Sequence, residues 1–351
     1  MTDTDTDDAR LVELYQDFER LHLQGLWTQA ADLMPKVPSP KAVPWIWHAA
    51  DLLPIADRCG ELITIERGGE RRAIALANPG LGGRPYATPT IWGALQHLGP
   101  HESAPAHRHM ANAVRFVLDG EGVWTTVDGD ACDMEPGDLV LTPAWTFHDH
   151  ANTTDSPMRW FDGLDLPLSN YLDVIFYENH PDLAQPVEDR NRSEQQWATA
   201  GVQVRGATRS AHGSPLLRYR WDQTDAALAA ATADSPSATI DFVDPSTGGP
   251  PLATLGCSMT RMLAGTSLPP SRRVGSSIVV VFRGRGHSTL NGERVGWGPF
   301  DMIAVPSWCE VSHSADEDTD LFVIDDAPVI KALGFGRPPT GPAAVDGEND
   351  R

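Results

Sequence analysis

The chain has 351 residues, enough for one large domain or two of ordinary size, and 48 acidic against 27 basic residues give it a formal charge of −21. So strong a negative charge argues against nucleic acid or an anionic membrane surface as a partner. No apolar stretch approaches the ~20 residues that cross a bilayer, no signal-peptide pattern is visible, and the four cysteines are scattered. We therefore expect a cytoplasmic protein with reduced thiols.

The first 60 residues are predicted to be mainly helical. Apolar residues recur at helical spacing between Leu11 and Leu21, which predicts one or two amphipathic helices over 9–33. The proline-rich stretch Pro35–Pro44 then ends the pattern. A further short helix is expected around 48–59.

From about residue 61 the pattern changes to short β-branched runs between Gly, Pro and Asp turns, which is typical of antiparallel sandwiches and barrels. The runs predicted as strands are Leu62–Ile65, Arg72–Ala77, Ala113–Leu118, Val123–Val127 and Leu139–Thr142. Residues 178–250 are expected to connect two β domains and to hold a helix near 222–232. The tail 336–351 is expected to be mobile.

The segment from about 115 to 165 recurs weakly near 278–328. The run VLDGEG at 117–122 matches VFRGRG at 281–286, and the hairpin turn Asp128-Gly129 matches Asn291-Gly292. Five further residues have an identical residue type at the same distance along the second copy. The pairs are Asp138 with Asp301, Pro143 with Pro306, Trp145 with Trp308, His150 with His313 and Asp162 with Asp325. This duplication predicts two copies of one β fold, an N-terminal domain over 61–177 and a C-terminal domain over 251–335.

Three histidines distinguish the first copy. His107 and His109, two residues apart on a strand, project from one face, and His148 follows in a later patterned segment. The corresponding positions of the second copy are about Ser271, Arg273 and Val311, so only the first copy has imidazoles at these three positions. Three facial imidazoles leave open positions on a divalent metal, which indicates a reactive centre; surface histidines on a loop are the plainer interpretation of His-x-His alone.

The spacing around His148 matches a known signature. The pattern Gly137-x5-Pro143-x-Trp145-x2-His148-x3-Asn152 resembles the second motif of the cupin superfamily, with Trp145 in place of its usual Gly. The first motif is half met, because Val114 or Arg115 stands where a Glu ligand is expected. The ligand set would therefore be three neutral imidazoles, which leave a 2+ ion its full charge and favour an anionic chelating substrate.

Longer stretches identify the chain as similar to one cupin group. They are Gly68–Arg72, Ala77–Leu81, Pro105–His109, Asp119–Trp124 and Trp160–Pro167. They resemble the bicupin ring-cleaving dioxygenases, which act on gentisate, salicylate and 1-hydroxy-2-naphthoate, and the resemblance covers roughly residues 10–335. It implies a mainly β bicupin fold of two double-stranded β-helix barrels, one Fe(II) per chain, a homotetramer, and cleavage between the carboxyl-bearing and hydroxyl-bearing ring carbons.

The resemblance also implies roles for individual residues. The iron ligands would be His107, His109 and His148, and the catalytic residues would be His150, Arg115 and Asp162. Arg115 and Arg71 would hold the substrate carboxylate, since a guanidinium suits a carboxylate bidentately. Asp162 would fix the tautomer of His150; a purely structural His150–Asp162 pair is the alternative. The implied substrate-binding residues are Arg71, Ala73, Trp92, Ala94, Arg115 and His150.

Plainer alternatives exist for several of these residues. Arg71 also fits a surface ion pair, and Trp92, Trp145, Phe147 and Trp160 fit core packing as well as a wall around an aromatic substrate.

We expect gentisate as the substrate, with salicylate and 1-hydroxy-2-naphthoate as alternatives. A cupin isomerase or decarboxylase using Zn or Mn would need a Glu beside His109, and a non-catalytic small-molecule-binding cupin would lack ligands in both copies. A transcription sensor would need a basic helix-turn-helix, which the sequence does not show.

Overall fold

The computed structural model describes residues 3–64, 67–69, 72–207, 210 and 212–336. The chain divides after Pro40 into two compact units. The N-terminal unit holds two helices, α1 (Asp3–Arg20) and α2 (Leu26–Leu33), where the sequence predicts one or two. Trp27 Nε1 donates to the Tyr15 hydroxyl at 3.0 Å and so ties them together. No helix among the described residues is long and apolar enough to span a membrane.

The second unit is mainly β. Its strands are β1 (Trp45–Trp47), β2 (Ala73–Ala75), β3 (Trp92–Leu98), β4 (Ser103–His109), β5 (Ala113–Asp119), β6 (Val123–Val127), β7 (Asp130–Met134), β8 (Leu139–Thr142), β9 (His148–Asn152), β10 (Met158–Leu164), β11 (Tyr177–Asn179), β12 (Asp189–Arg190), β13 (Arg218–Tyr219), β14 (Ser237–Asp241), β15 (Gly256–Met262), β16 (Ser271–Arg272), β17 (Ser277–Arg283), β18 (Gly286–Leu290), β19 (Glu293–Trp297), β20 (Met302–Val305), β21 (Glu310–Ala315) and β22 (Thr319–Asp325). Its helices are α3 (Ala49–Leu62), α4 (Leu166–Tyr171), α5 (Arg192–Trp197), α6 (Trp221–Ala231) and α7 (Ala327–Ala332).

The strands form two modules of two sheets each. The first module has the strand orders β13-β8-β5-β10-β3-β2 and β11-β4-β9-β6-β7-β12. The second has β1-β20-β17-β22-β15-β14 and β16-β21-β18-β19. Strands β5 to β10 correspond one to one with β17 to β22, which confirms the predicted duplication and the bicupin fold.

Each module receives a strand from the chain segment that precedes the other module. Strand β1 pairs with β20 of the second module, and Asp301 Oδ1 accepts a hydrogen bond from the Ala49 amide at the start of α3, at 2.7 Å. In the same way β13 pairs with β8 of the first module, and Asp138 Oδ1 accepts from the Trp221 amide at the start of α6, at 2.8 Å. The residues before each module therefore complete a sheet of the other one, and the N-terminal segment is not helical throughout.

The largest core lies between the modules. Alternate residues of β5 point outward, and Phe116 stacks on Phe322 of β22 with ring centroids 4.2 Å apart. The intervening Arg115 and Val117 point into the first module. Because side chains alternate along β5, one set of its residues packs between the modules and the other set faces the interior of the first module.

The strand pairing corrects one equivalence between the copies. In the first module Asp162 pairs with Arg115, and in the second Val323 pairs with Val279. Asp162 therefore corresponds to Val323, and the expected match with Asp325 is wrong. The cause is loop length: five residues (153–157) separate β9 from β10, whereas three (316–318) separate β21 from β22, and a constant sequence offset cannot represent this difference.

The strand predictions otherwise hold where the chain is regular. Val123–Val127 and Leu139–Thr142 are strands with the predicted bounds. Leu62–Ile65 is wrong as a strand, because α3 continues to Leu62 and the next two residues are irregular; Ile65 lies outside the described residues. Of the tail predicted to be mobile, 337–351 lies outside them as well.

Candidate active site

A cavity of about 460 Å³ opens in the first module, within the range of sites that hold small molecules. It lies between the two sheets and contains all three histidines of the predicted ligand set. Its lining residues are Ala73, Trp92, Gln96, Ala104, His107, His109, Ala111, Arg115, His148, His150, Asp162, Leu164, Leu166, Ile175, Phe176 and Tyr177.

The three histidines converge from two paired strands. His107 and His109 project from β4, and His148 begins β9 directly opposite His107. One ring nitrogen from each lies within 4.8 Å of the others. The pairing confirms the geometric prediction that these residues come together, because the period of two along β4 places both of its histidines on one face.

Backbone carbonyls fix the orientation of all three rings. Nδ1 of His107 contacts the Pro105 carbonyl at 2.9 Å, Nδ1 of His109 contacts that of Ala111 at 2.8 Å, and Nδ1 of His148 contacts that of Thr146 at 3.0 Å. Because a carbonyl only accepts, each Nδ1 carries the proton and each Nε2 keeps its lone pair.

The electrostatics of the site favour neutral imidazoles. Burial, with a contribution from His107, lowers the pKa of His109 to about 4, and burial lowers the pKa of His148 well below its ordinary value. Nε2 of His148 is buried without a hydrogen-bond partner. Three neutral donors, one of them otherwise unsatisfied, are the chemistry that a divalent transition metal requires.

The Trp145 departure from the cupin motif has a structural explanation. Trp145 adopts a left-handed conformation with φ of 65°, which is ordinarily left to glycine. Its ring packs on Phe176 with centroids 4.4 Å apart, and the Arg108 guanidinium lies 4.1 Å from its centre and 4.4 Å from that of Phe147. This packing stabilises the turn that leads into His148.

Arg115 is buried beside the histidines. Its Nε lies 3.4 Å from Asp162 Oδ1, and its Nη1 donates to Thr142 Oγ1. Burial raises the pKa of Asp162 to about 6, against the opposing effect of Arg115. A buried guanidinium with one carboxylate partner leaves donors available for an anionic ligand in the cavity.

The second module contains none of this polar cluster. Arg115 and Asp162 correspond to Val279 and Val323, and Thr142 corresponds to Val305, since Ala113 pairs with Thr142 where Ser277 pairs with Val305. The ligand positions also differ, with Ser271 paired to Val311. The same fold thus forms without buried charge at these positions.

The expected contact between Asp162 and His150 is wrong. Nδ1 of His150 instead lies 2.8 Å from Thr125 Oγ1, directly across the strand pair, while Asp162 accepts from Trp160 Nε1 at 3.1 Å. Thr125 follows the interior parity of β6, but no sequence motif marks it. Burial, then Arg115, lowers the pKa of His150 well below its ordinary value.

The predicted wall residues divide into two groups. Ala73 and Trp92 line the cavity, whereas Ala94 is fully buried on β3 but is not among the lining residues. Trp160 is a core residue against the ring of His150, and Trp145 and Phe147 pack around Arg108 outside the cavity. Arg71 lies outside the described residues.

Sequence reasoning missed several lining residues. Gln96 shares the parity of Trp92 along β3, a signal that was available. Ile175, Phe176 and Tyr177 lie just before and within β11, which pairs with the ligand-bearing β4, and Tyr177 stacks on His107. Nothing in their local pattern indicates this contact, since it depends on a strand pairing across 70 residues of chain.

Known proteins similar to this chain agree with the geometry. A cupin domain model matches residues 94–165. The chain is 48% identical to a gentisate 1,2-dioxygenase of a Streptomyces species, with 97% of this chain and 99% of the relative covered, and 35% identical to a 5-aminosalicylate 1,2-dioxygenase of a Comamonas species, with 96% and 92% covered.

Solved structures show the same likeness. Salicylate 1,2-dioxygenase from Pseudaminobacter salicylatoxidans superposes with a TM-score of 0.89 at 44% identity, covering 93% of this chain and 97% of that one. A structure of that enzyme with gentisate gives a TM-score of 0.88 at 45% identity, with 93% of both chains covered. The chain therefore belongs to the bicupin ring-cleaving 1,2-dioxygenases, the family of the gentisate and salicylate enzymes.

Proposed function

We propose that this protein is an Fe(II)-dependent dioxygenase that opens the ring of a hydroxylated aromatic acid between the carboxyl-bearing and hydroxyl-bearing carbons. Its preferred substrate is gentisate, which gives maleylpyruvate as the product. One observation carries the proposal: three neutral imidazoles and a buried guanidinium face one cavity of about 460 Å³. This pairing suits a ligand that offers a carboxylate and a neighbouring oxygen.

Arg115 accounts for the binding of an anion by a chain with a charge of −21. Its guanidinium remains protonated and is held by Asp162 and Thr142, so the remaining donors are oriented before substrate arrives. Arg71 would add a second carboxylate contact. The substrate carboxylate would then lie against fixed donors of a buried side chain, where each hydrogen bond is stronger than in water.

His107, His109 and His148 would hold one iron per chain. Bound there, Fe(II) supplies the exchange of electrons with O2 that ring cleavage requires. His150 would accept the proton of the substrate hydroxyl at Nε2, since Thr125 occupies Nδ1. Trp92, Leu164 and Phe176 form apolar walls that fit an aromatic ring and limit water.

The choice of gentisate rests on relatives. Curated relatives include gentisate, 5-aminosalicylate and 1-hydroxy-2-naphthoate dioxygenases, so salicylate and 1-hydroxy-2-naphthoate remain competing substrates. An isomerase or decarboxylase is less well supported, because within the described part of the chain the candidate metal group contains three histidines and no carboxylate. The homotetramer implied by the resemblance and the cytoplasmic location expected from the sequence remain predictions.

The test is anaerobic loading with Fe(II), followed by O2 uptake with each of the three acids in turn. We expect one O2 consumed per ring opened, most rapidly with gentisate. A chain that holds one iron but consumes no O2 with any of them is not a dioxygenase of this class. Measuring product absorbance alongside O2 distinguishes ring cleavage from uncoupled oxidation.

A further inference from the structure

We propose that Thr125 and Met134 are positioning residues that hold His150 in one tautomer, with the Nε2 lone pair available to the cavity. This inference rests on the proposed function, because it assumes that His150 meets the substrate hydroxyl. It concerns two interior residues of β6 and β7 to which the family resemblance assigned no role.

The contacts form a short chain of hydrogen bonds. Thr125 Oγ1 lies 3.1 Å from Met134 Sδ and 2.8 Å from His150 Nδ1. A thioether sulfur offers no proton, so the hydroxyl donates to Met134 and its oxygen accepts from His150. Both contacts are satisfied only when Nδ1 carries the imidazole proton.

Burial makes this arrangement consequential. Thr125 is fully buried and Met134 is 1% exposed, so water does not replace either partner. With Nδ1 engaged, Nε2 is the ring nitrogen left for a ligand, and His150 lines the cavity. Nε2 then accepts a hydrogen bond from a substrate hydroxyl. In the opposite tautomer the proton would be on Nε2, and this N–H would face the hydroxyl proton of the substrate without an acceptor between them.

The second module supplies an internal comparison. Ser288 and His313 repeat the hydroxyl–imidazole contact at 2.7 Å, on paired strands that correspond to β6 and β9. The residue that corresponds to Met134 is Trp297, whose Nε1 donates to Ser288 Oγ at 2.9 Å. Because Trp297 donates to the serine oxygen, the serine hydroxyl can donate its own proton to Nδ1 of His313. This favours the tautomer of His313 that carries its proton on Nε2. The fold thus keeps the pair in both modules, and the third residue changes from acceptor to donor only where no ligand set exists.

The first test measures turnover in the iron-loaded enzyme. We expect Thr125→Val to lower kcat about 10- to 100-fold while the anaerobic Kd for gentisate changes less than about threefold. Thr125→Ser, which retains the hydroxyl, should stay within about threefold of wild type, and Met134→Leu should lose about fivefold. Ser288→Ala removes the equivalent hydroxyl of the second module and should leave kcat unchanged.

The second test reads the tautomer directly. Protein labelled with 15N-histidine and loaded with Zn²⁺ in place of iron should show His150, assigned by its loss in His150→Asn, with Nδ1 protonated and Nε2 unprotonated. In Thr125→Val that preference should weaken. A protonated Nε2 in wild type, or Thr125→Val with wild-type kcat, overturns the inference. If wild type cleaves no aromatic acid, the proposed function fails, and the NMR spectrum still decides the tautomer.

Discussion

Arg115 and Asp162 face each other on adjacent strands, with Nε and Oδ1 3.4 Å apart, at the positions where the second module has Val279 and Val323. A buried ion pair is costly to form, and one copy of this fold shows that the architecture does not need it. The pair is therefore best explained by what it binds.

Grafting the valines of the second module into the first tests this explanation. Arg115→Val combined with Thr142→Val and Asp162→Val should fold, with a free energy of unfolding close to that of wild type, because the charges no longer have to be desolvated while Trp160 Nε1 loses its acceptor. Substrate binding should be lost while metal content is unchanged. Urea denaturation, metal analysis and anaerobic titration with gentisate measure the three outcomes.

The single substitution provides the contrast. Asp162→Val leaves Arg115 buried without its carboxylate partner, and we expect a loss of about 3–5 kcal/mol. A triple variant that is as unstable as this single variant would show that the cluster has a structural role, contrary to our interpretation.

Removing one ligand should release the metal. In His109→Ala only two imidazoles remain, and we expect bound iron to fall from one per chain to near zero, with turnover lost in parallel. Metal analysis after desalting is the measurement. His287→Ala, which removes an imidazole from the second module, serves as the control; if His109→Ala retained iron as well as this control does, His109 would leave the ligand set.

The packing of Arg108 between Trp145 and Phe147 should support the metal site from outside. Arg108 lies between two ligands in sequence and also pairs with Glu178 at 3.0 Å, so it joins β4, β11 and the turn before His148. We expect Arg108→Ala to speed metal loss to a chelator about tenfold. Arg272→Ala removes the corresponding arginine of the second module and should have no such effect; equal rates in the two variants would argue against a supporting role.

Stability should depend on pH through His313. Burial lowers the pKa of His313 from 6.5 to about 4, so below pH 6.5 the unfolded chain binds a proton that the folded chain excludes. Above pH 6.5 this proton uptake does not reduce the free energy of unfolding. Between pH 6.5 and pH 4 the free energy of unfolding decreases as the pH falls. Between pH 7.5 and 5, wild type should lose about 2 kcal/mol more than His313→Gln in urea unfolding. Identical pH profiles for the two proteins would contradict this assignment.

The predictability of the site follows from the range of the interactions involved. The ligand set was predictable because His107 and His109 share a face by strand parity alone, and the comparison of the two copies singled out His148. The partner of His150 was not, because several interior residues oppose it and only strand register selects Thr125. Asp325 was matched to Asp162 because the loop before β22 is two residues shorter than the loop before β10, a difference that a constant offset between the copies does not include.

The sequence by itself determined that this chain is a duplicated β protein with three imidazoles in one copy, since side-chain alternation, turn residues and repeat spacing are local properties. Only the tertiary structure decided which residues meet across strands: Arg115 with Asp162, Thr125 with His150, and β1 and β13 with the opposite modules. Those contacts join residues from about 25 to more than 250 positions apart. Their choice depends on register, loop length and packing of the whole chain, which no single segment encodes.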